Sequence, residues 1–497
     1  MPAAVAAVAL VALYGLAMAG HPVTASAGQP AAAARAIPVT AVQRGCPGLG
    51  LTGGSSGQVA FVAAASPGGS GGQALATALS AAAGRHPLLS ASQPGQLSLG
   101  PVRPAGGAVP AALRGANPAG GQAAGQASGT RAVASVPLRG GVMVQASGTM
   151  ARGLEVEQTS AAGTPTAACS SPGTDFWFVG PGQHSAARIQ LYLMNPSDQA
   201  ADVSVEIATD AGPLQGSTDT GIAVAPHSMV AQSLAPVLHG SRVVSLHVRT
   251  SVGQVVASVL ESTGTTGGSW LPIAQLPSTR VIVPGLPATT GTRQLFVAVP
   301  GMHDAHLTIA AVTSRGSYEP TGGGGVDVPG GSAIAIPLPS MGGIAAALKL
   351  TSTQPVTAAL LVPGGPAGAP GVFTAAAPPL QEQGVVAANT AASALILSAP
   401  KGQATVRVTE LGGGSAPPAK TVQIGAGHSK LVQLTAIHGV HTFPVVVTPL
   451  PGSGPVYAGR VTVSAGAGTV QALMPVASAL TQVPLPAVRA APITARP

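Results

Sequence analysis

Two glycine–serine segments, at 53–57 and 68–72, match the pattern of a hydrolase nucleophile elbow, and the second is the better candidate. Gly68-Gly69-Ser70-Gly71-Gly72 matches the G-x-S-x-G elbow, in which a sharp turn exposes the serine hydroxyl. Such an enzyme needs a carboxylate and then a histidine downstream, and the first acidic residue of the chain is Glu155. We therefore predict a glycine–serine turn here and keep a serine hydrolase using Ser70 as the lesser alternative.

Two further motifs could bind a cofactor or a metal ion. Residues 48–53 match the dinucleotide fingerprint G-x-G-x-x-G, which needs a following helix and a later acid. Instead, a strand-like run at 58–64 follows these glycines, and no acid lies near them. His303-Asp304-Ala305-His306 offers two imidazoles of the kind that bind zinc, but the internal repeats described below place it on an exposed hairpin turn. We predict no catalytic residue, no cofactor and no metal site.

Trp177 and Trp270 are the two tryptophans among twelve aromatic residues. Trp177 lies in the strand-like run 175–180, and Trp270 lies in a Gly-Ser-Trp-Leu-Pro segment between two repeats. In a chain so poor in aromatic residues, we expect them to anchor the core and a domain junction. The alternative is a platform on which sugar rings stack.

Cys46 and Cys169 are the only cysteines. They have neither C-x-x-C spacing nor a neighbouring histidine, so they make a poor metal site. In an exported chain, a disulfide between them is the simplest interpretation, with two free thiols as the alternative.

The first 154 residues carry the whole net charge of +8, because they contain eight arginines and no acid. A basic region of this kind could favour anionic lipid or wall polymer. The arginines are scattered singly with almost no aromatic residues between them, so we predict no nucleic-acid binding. They are Arg35, Arg44, Arg85, Arg103, Arg114, Arg131, Arg139 and Arg152.

The N-terminus predicts export. Residues 3–19 are uncharged and mostly apolar, which is typical of a signal peptide or a membrane anchor. A linker rich in proline, alanine and glycine follows over 21–36. We therefore expect the rest of the chain to lie outside the cytoplasm, either secreted or anchored by this segment.

The elements that position these residues are predicted to be short strands. The composition is 46% apolar but only 7% charged, with 68 glycines and 47 prolines, which favours strands and turns and excludes a coiled coil. Segments about one hundred residues apart repeat the same alternation of apolar residues: 189–207 shifted by 104 falls on 293–311, and a third copy begins near 395. In the first copy, strands are predicted near 176–179, 188–193, 202–208, 221–225, 229–234, 243–249 and 255–260.

Seven short strands per copy predict tandem immunoglobulin-like β-sandwiches in an all-β chain. A β-propeller is the alternative, although its blades would be half as long as this period. The predicted organisation is a signal peptide or anchor over 1–20, a linker over 21–36, a basic N-terminal β domain over 37–170 with a low-complexity insert near 104–130, sandwich repeats over 175–262, 280–364 and 384–476, and a C-terminal tail over 477–497.

Several short motifs recur in one known combination. They are Cys46-Pro47, Cys169 before Trp177-Phe178-Val179-Gly180, Asn195-Pro196, His247-Val248 and Gly268-Ser269-Trp270-Leu271-Pro272. In this combination the chain resembles an uncharacterised family of actinobacterial proteins. The resemblance implies an exported or membrane-anchored all-β protein and brings no assigned activity and no catalytic residue.

These features predict a non-enzymatic protein of the cell envelope that presents tandem sandwiches outside the cytoplasmic membrane. Its expected partner is an envelope protein or a cell-wall polymer, and the N-terminal segment is expected to contact the membrane. The alternative function is a glycan- or polymer-binding module that uses Trp177, Trp270 and the N-terminal arginines.

Overall fold

A computed structural model gives the fold of the chain. Its described residues form strands and turns and no helix, so the predicted all-β class is confirmed. The described residues are 35–48, 57–64, 72–81, 90–94, 131–138, 141–148, 151, 153–160, 167–183, 187–214, 221–263, 268–362, 371–411, 418–435, 437, 442–463, 470–475 and 482–485.

The chain divides into two compact units, residues 1–38 with 482–497 and residues 39–481. In the first unit, strand β1 (Arg35–Pro38) pairs antiparallel with strand β35 (Gln482–Leu485). All the other strands belong to the second unit.

Three segments predicted from the sequence lie outside the described residues. They are the signal or anchor segment at 1–20, the low-complexity insert at 104–130, and most of the C-terminal tail at 477–497. Within the described ranges, no helix is long and apolar enough to cross a membrane.

The N-terminal region of the second unit contains eight strands. They are β2 (Ala41–Cys46), β3 (Gly57–Ala64), β4 (Gly72–Ala81), β5 (Ser90–Pro94), β6 (Arg131–Leu138), β7 (Gly141–Gly148), β8 (Glu155–Ser160) and β9 (Ala167–Ala168). One sheet has the order β6-β3-β8-β9, while β5, β4, β7 and β2 extend a sheet of the first repeat.

The first repeat contains all seven strands that the alternation predicts, together with a two-residue strand and a short eighth strand. They are β10 (Asp175–Pro181), β11 (Ala187–Met194), β12 (Ala201–Thr209), β13 (Gly212–Pro213), β14 (Ile222–Val224), β15 (Met229–Ser233), β16 (Val243–Val252), β17 (Val256–Thr263) and β18 (Gly268–Leu271).

The second repeat keeps the same strands at the predicted shift of 104 residues. They are β19 (Ser278–Leu286), β20 (Arg293–Ala298), β21 (Ala305–Thr313), β22 (Gly316–Tyr318), β23 (Val326–Val328), β24 (Ala333–Leu338), β25 (Ala346–Val362) and β26 (Val372–Ala375). When shifted by 104 residues, the bounds of β12, β14 and β18 are identical to those of β21, β23 and β26. The long strand β25 takes the places of β16 and β17 and therefore pairs in both sheets.

The third repeat has the same pairing with different spacing. Its strands are β27 (Gly384–Asn389), β28 (Ser393–Ala399), β29 (Ala404–Glu410), β30 (Lys420–Ile424), β31 (His428–Gln433), β32 (Phe443–Pro449), β33 (Tyr457–Val463) and β34 (Val470–Pro475). They form two sheets with the orders β27-β32-β29-β30 and β31-β28-β33-β34.

Two sheets in each repeat face each other across an apolar core. In the first repeat, Phe178 and Leu246 from one sheet and Leu191 and Val259 from the other belong to the same buried cluster. Alternate residues of a strand point to opposite faces, so the period-two pattern of the sequence produces this core. The arrangement agrees with a sandwich, the described strands form no propeller, and the immunoglobulin-like topology stays a prediction.

Equivalent turns are closed by equivalent hydrogen bonds. The Thr209 hydroxyl donates to the carbonyl of Gly212 (3.1 Å), and 104 residues later the Thr313 hydroxyl donates to that of Gly316 (2.8 Å). These glycines have φ values of +105° and +111°, which a residue with a Cβ rarely adopts. The repeat is therefore encoded in turn chemistry as well as in the apolar pattern.

The repeats pack directly on one another. The second strand of each sandwich presents an outward residue to the preceding module: Tyr192 packs near Met143 of the N-terminal region, Phe296 joins the core cluster of repeat 1, and Ile396 joins that of repeat 2. A Cβ on Gly459 of repeat 3 would lie 2.3 Å from the Cα of Gly285 in repeat 2, so the two backbones touch there. The described strands of the three repeats are therefore packed on one another.

Candidate functional site

The predicted disulfide joins the end of β2 to the segment after β9. Cys46 and Cys169 are bonded with their Cα atoms 4.7 Å apart and 123 positions apart in the sequence. Beside the bond, Gly45 and Ser170 exchange two backbone hydrogen bonds (2.8 and 3.2 Å), and the Cys169 amide donates to the carbonyl of Val156 in β8 (2.8 Å). The disulfide therefore fastens β2 and the segment after β9 to strand β8.

Strand β8 carries two buried carboxylates that pair with arginines in different parts of the molecule. Glu155 lies 3.4 Å from Nε of Arg44 in β2, and Arg44 also donates to the Ser171 hydroxyl. Glu157 lies 3.2 Å from Nη1 of Arg460 in β33, and both of these side chains are 1% exposed. The two acids are two positions apart in the strand, so their side chains point to the same face of the sheet.

Burial controls the acidity of both carboxyls. It raises the pKa of Glu155 to about 7, against the opposing effect of the Arg44 charge. Burial also raises the pKa of Glu157, while Arg460 and the backbone amides of Ala387 and Ala388 act to lower it. This buried network could not be predicted from the sequence, because Arg460 lies 303 residues from Glu157 and no local pattern relates them.

A second polar cluster lies around Trp177. The imidazole of His247 stacks on the indole, with ring centroids 3.9 Å apart and planes at 15°. Its Nε2 lies 3.0 Å from Asp175 and its Nδ1 lies 3.1 Å from Glu206. These side chains come from the adjacent strands β10, β16 and β12, where Trp177 lies directly opposite His247 and His247 directly opposite Glu206.

This cluster cross-links three strands. Both imidazole nitrogens lie within hydrogen-bond distance of carboxylate oxygens, so the ring is held from both sides. Glu206 also lies 3.6 Å from Arg249, which extends the charge pairing along β16. The arrangement ties strands β10, β12 and β16 together.

An open groove of about 580 Å³ adjoins this cluster. Its walls come from the segment 170–176, from the connection 273–276 between repeats 1 and 2, and from Pro378 in the next connection. Leu276, which is 59% exposed, and Asp175 are among the lining residues. The groove is an apolar surface with one acidic group at its side.

Both tryptophans are buried. Trp177 is 7% exposed and Trp270 is 8% exposed, so neither presents a ring face to solvent. Trp270 lies in β18 and packs 5.7 Å from Tyr192, in a cluster that includes Met143 of the N-terminal region. The structure thus places Trp177 in the core of repeat 1 and Trp270 where that repeat meets the N-terminal region.

The remaining candidates are not brought together into a site. Ser70 and most of the fingerprint at 48–53 lie outside the described residues. Asp304 accepts a hydrogen bond from the Gly330 amide (2.9 Å), and Nδ1 of His306 lies 2.8 Å from Asp327 on the exposed start of β21. Within the described ranges, no group of three or more potential ligands could hold a metal ion.

Of the eight N-terminal arginines, Arg44 is the one whose side chain the structure describes. It is 7% exposed and is paired with Glu155, so it is not available to attract an anionic polymer. Arg44, which the sequence places in a basic region, therefore pairs with a buried acid and does not contribute to a basic surface.

Comparison with known proteins gives a family and no function. The model of a family of unknown function, DUF5719, matches residues 123–435, which is more than half of the chain. No curated protein and no solved structure matches the chain. The match runs from just before β6 to the end of the third repeat's fifth strand, and so includes Cys169, both tryptophans and the two buried acids of β8. The chain belongs to DUF5719, an uncharacterised family, as the resemblance of its motifs predicted.

Proposed function

We propose that the chain is an extracytoplasmic, non-enzymatic structural and interaction protein of the cell envelope. The observation that carries this proposal is the disulfide between Cys46 and Cys169, because such bonds persist in oxidising compartments and are rare in the cytosol. The apolar, uncharged run at 3–19 supports export.

The packing of the repeats supports a structural role. Apolar clusters join the N-terminal region to repeat 1, repeat 1 to repeat 2 and repeat 2 to repeat 3, so the described strands of these modules form one packed body. The glycan-binding alternative would use the rings of Trp177 and Trp270, and both are buried. We therefore favour a protein partner over a wall polymer.

Cell fractionation under thiol-blocking conditions tests the location. We expect the chain in the envelope or secreted fraction of the organism that encodes it, with both cysteines resistant to alkylation until a reductant is added. A Cys46→Ser/Cys169→Ser variant is the matched control for the alkylation signal. Recovery of the chain in the cytosolic fraction with two reactive thiols would overturn the proposal.

Crosslinking in intact cells tests the role. We expect a photo-crosslinker at the exposed position Met302 to capture a distinct envelope protein on irradiation, whereas the same cells kept in the dark yield no such product. Labelling of the purified chain by a fluorophosphonate, lost in Ser70→Ala, would instead favour the hydrolase and contradict the non-enzymatic proposal.

A further inference from the structure

Strand β8 is held from two sides by groups that are far apart in the sequence. On one side, the Cys169 amide binds the Val156 carbonyl, β9 pairs with Glu157 and Gln158, and the Gly48 amide donates to the Gln158 side chain (3.2 Å). These contacts come from the two segments that the disulfide joins. The residues around the disulfide therefore hold one edge of β8, while β3 pairs along its other edge.

On the other side, β8 packs against strand β27 of the third repeat, and the Glu157 side chain makes hydrogen bonds across this contact. The Glu157 carboxylate accepts a hydrogen bond from the Ala388 amide (3.1 Å) and another from Nη1 of Arg460 (3.2 Å). Nη1 of Arg460 also donates to the Ala388 carbonyl. Glu157, Ala388 and Arg460 thus form a closed triangle between β8, β27 and β33.

The buried Arg460 side chain depends on Glu157 for the pairing of its charge. Its Nε and Nη2 atoms are buried and have no hydrogen-bond partner in the described part of the chain, so Glu157 is the sole carboxylate that it pairs with there. Removing the partner of a buried charge strongly destabilises the folded state, because the remaining charge is left uncompensated. Moving β8 away would therefore force the Arg460 side chain and its strand to rearrange.

We propose that the Cys46–Cys169 disulfide is a latch: its formation fixes β8 so that Glu157 docks on Ala388 and Arg460, and its reduction releases the third repeat from the N-terminal region. In the closing step, the two thiols lose two protons and two electrons and form one S–S bond. The electrons pass to a disulfide-bearing oxidant, which is reduced to two thiols. The closed bond joins residues 123 positions apart and fixes β2 and the segment after β9 beside β8.

Hydrogen exchange of the full chain, read by mass spectrometry, tests the latch. The reporter is the segment of β27 that contains the Ala388 amide, since this amide donates to Glu157. We expect roughly tenfold faster exchange there when the folded wild-type chain is treated with a phosphine reductant, and a similar increase in oxidised Glu157→Gln. Strand β21 of the second repeat should keep its protection in both cases.

Two controls make the outcome decisive. Asp327→Asn removes an exposed partner of His306 in repeat 2 and should leave β27 unchanged, whether oxidised or reduced. Cys46→Ser/Cys169→Ser should match the reduced wild type, and where it fails to fold, the phosphine-treated wild type alone decides. Unchanged exchange of β27 after reduction would overturn the latch. Loss of protection throughout β21 as well would also overturn it, because the disulfide would then be a general support of the fold.

Discussion

Repeats 1 and 2 have the same order of strands and turns but differ in the side chains that occupy buried positions. Their turns use Thr209 with Gly212 and Thr313 with Gly316 in the same hydrogen bonds. Yet the first residue of β20, Arg293, occupies the place of the buried Ile189 in β11, and it is 0% exposed. The turns therefore keep the strand arrangement the same in both repeats, while a buried position can change from an apolar to a charged residue.

The buried arginine is accommodated by carbonyl groups instead of a carboxylate. Arg293 donates to the backbone oxygens of Pro287 (3.0 Å), Thr289 (2.6 Å) and Gly291 (3.1 Å), and so it closes the loop before its own strand. Burial lowers the pKa of its guanidinium. A loop that can supply three carbonyl oxygens thus replaces the apolar contact that Ile189 makes in repeat 1.

The largest expected effect comes from the outward aromatic residue that the two repeats share. Phe296, 1% exposed, fills the interface with repeat 1, and Tyr192 occupies the equivalent position facing the N-terminal region. We expect Phe296→Ala to lower the free energy of unfolding by about 3–5 kcal/mol, since it leaves a cavity between modules. Denaturant titration measures this change.

Tyr192→Ala is the matched variant for that interface. If the two interfaces are equivalent, it should destabilise the chain by a comparable amount. A loss below about 1 kcal/mol in either variant, the range of ordinary surface substitutions, would contradict the shared packing mode.

The next effect comes from an acid that repeat 1 has and repeat 2 lacks. Glu261 in β17 is 8% exposed, and burial raises its pKa from 4.5 to about 7; the corresponding residue of repeat 2 is Gly365. Because the folded chain binds this proton more tightly than the unfolded chain, the contribution of Glu261 to stability is greatest at low pH. It falls as the pH rises from 4.5 through 7, by up to about 3 kcal/mol.

Glu261→Gln should remove that part of the pH dependence. We expect the variant to be more stable than the wild type at pH 8 and equally stable near pH 4.5, as measured by chemical denaturation at the two pH values. Asp327→Asn, at an exposed site, serves as the control. A wild type that gains stability from pH 5 to pH 8 relative to Glu261→Gln would reverse the sign and refute the interpretation.

The smallest effect is expected at the turn glycines. Gly212→Ala and Gly316→Ala each place a Cβ on a residue with φ above +100°, although no atom lies in contact with the added group at Gly212. We expect each to cost about 1–2 kcal/mol of stability from backbone strain. Thermal unfolding of the two variants should give matching shifts, and a difference beyond about 1 kcal/mol would show that the turns are not equivalent.

Local features of the fold could be predicted from the sequence, and contacts between modules could not. The seven strands of repeat 1 follow from period-two alternation and from turn residues, both of which act within a few positions. The eighth strand, β18, was not predicted, because its four residues Gly268–Leu271 lie between glycine and proline and look like a joint. Phe296 was not recognised as an interface residue, since an outward position looks the same whether solvent or another sheet covers it.

The candidate site shows the same division. The disulfide could be predicted because two cysteines in an exported chain leave one intramolecular pairing. Trp177 could be placed in a strand, but its stacking on His247 depends on the register of β10 against β16. The contact of Glu157 with Arg460 depends on how the N-terminal region meets repeat 3, which no short-range pattern encodes.

The ribbon of β1 and β35 has a mechanical consequence. Its antiparallel register sets Arg35 opposite Leu485 and Pro38 opposite Gln482, so the polypeptide enters and leaves the ribbon at the same end. A force applied between the two termini would separate the four residue pairs of the ribbon one after another, in the unzipping geometry. It would not shear all four pairs at once. The ribbon would yield at low force, before any tension reached residues 39–481.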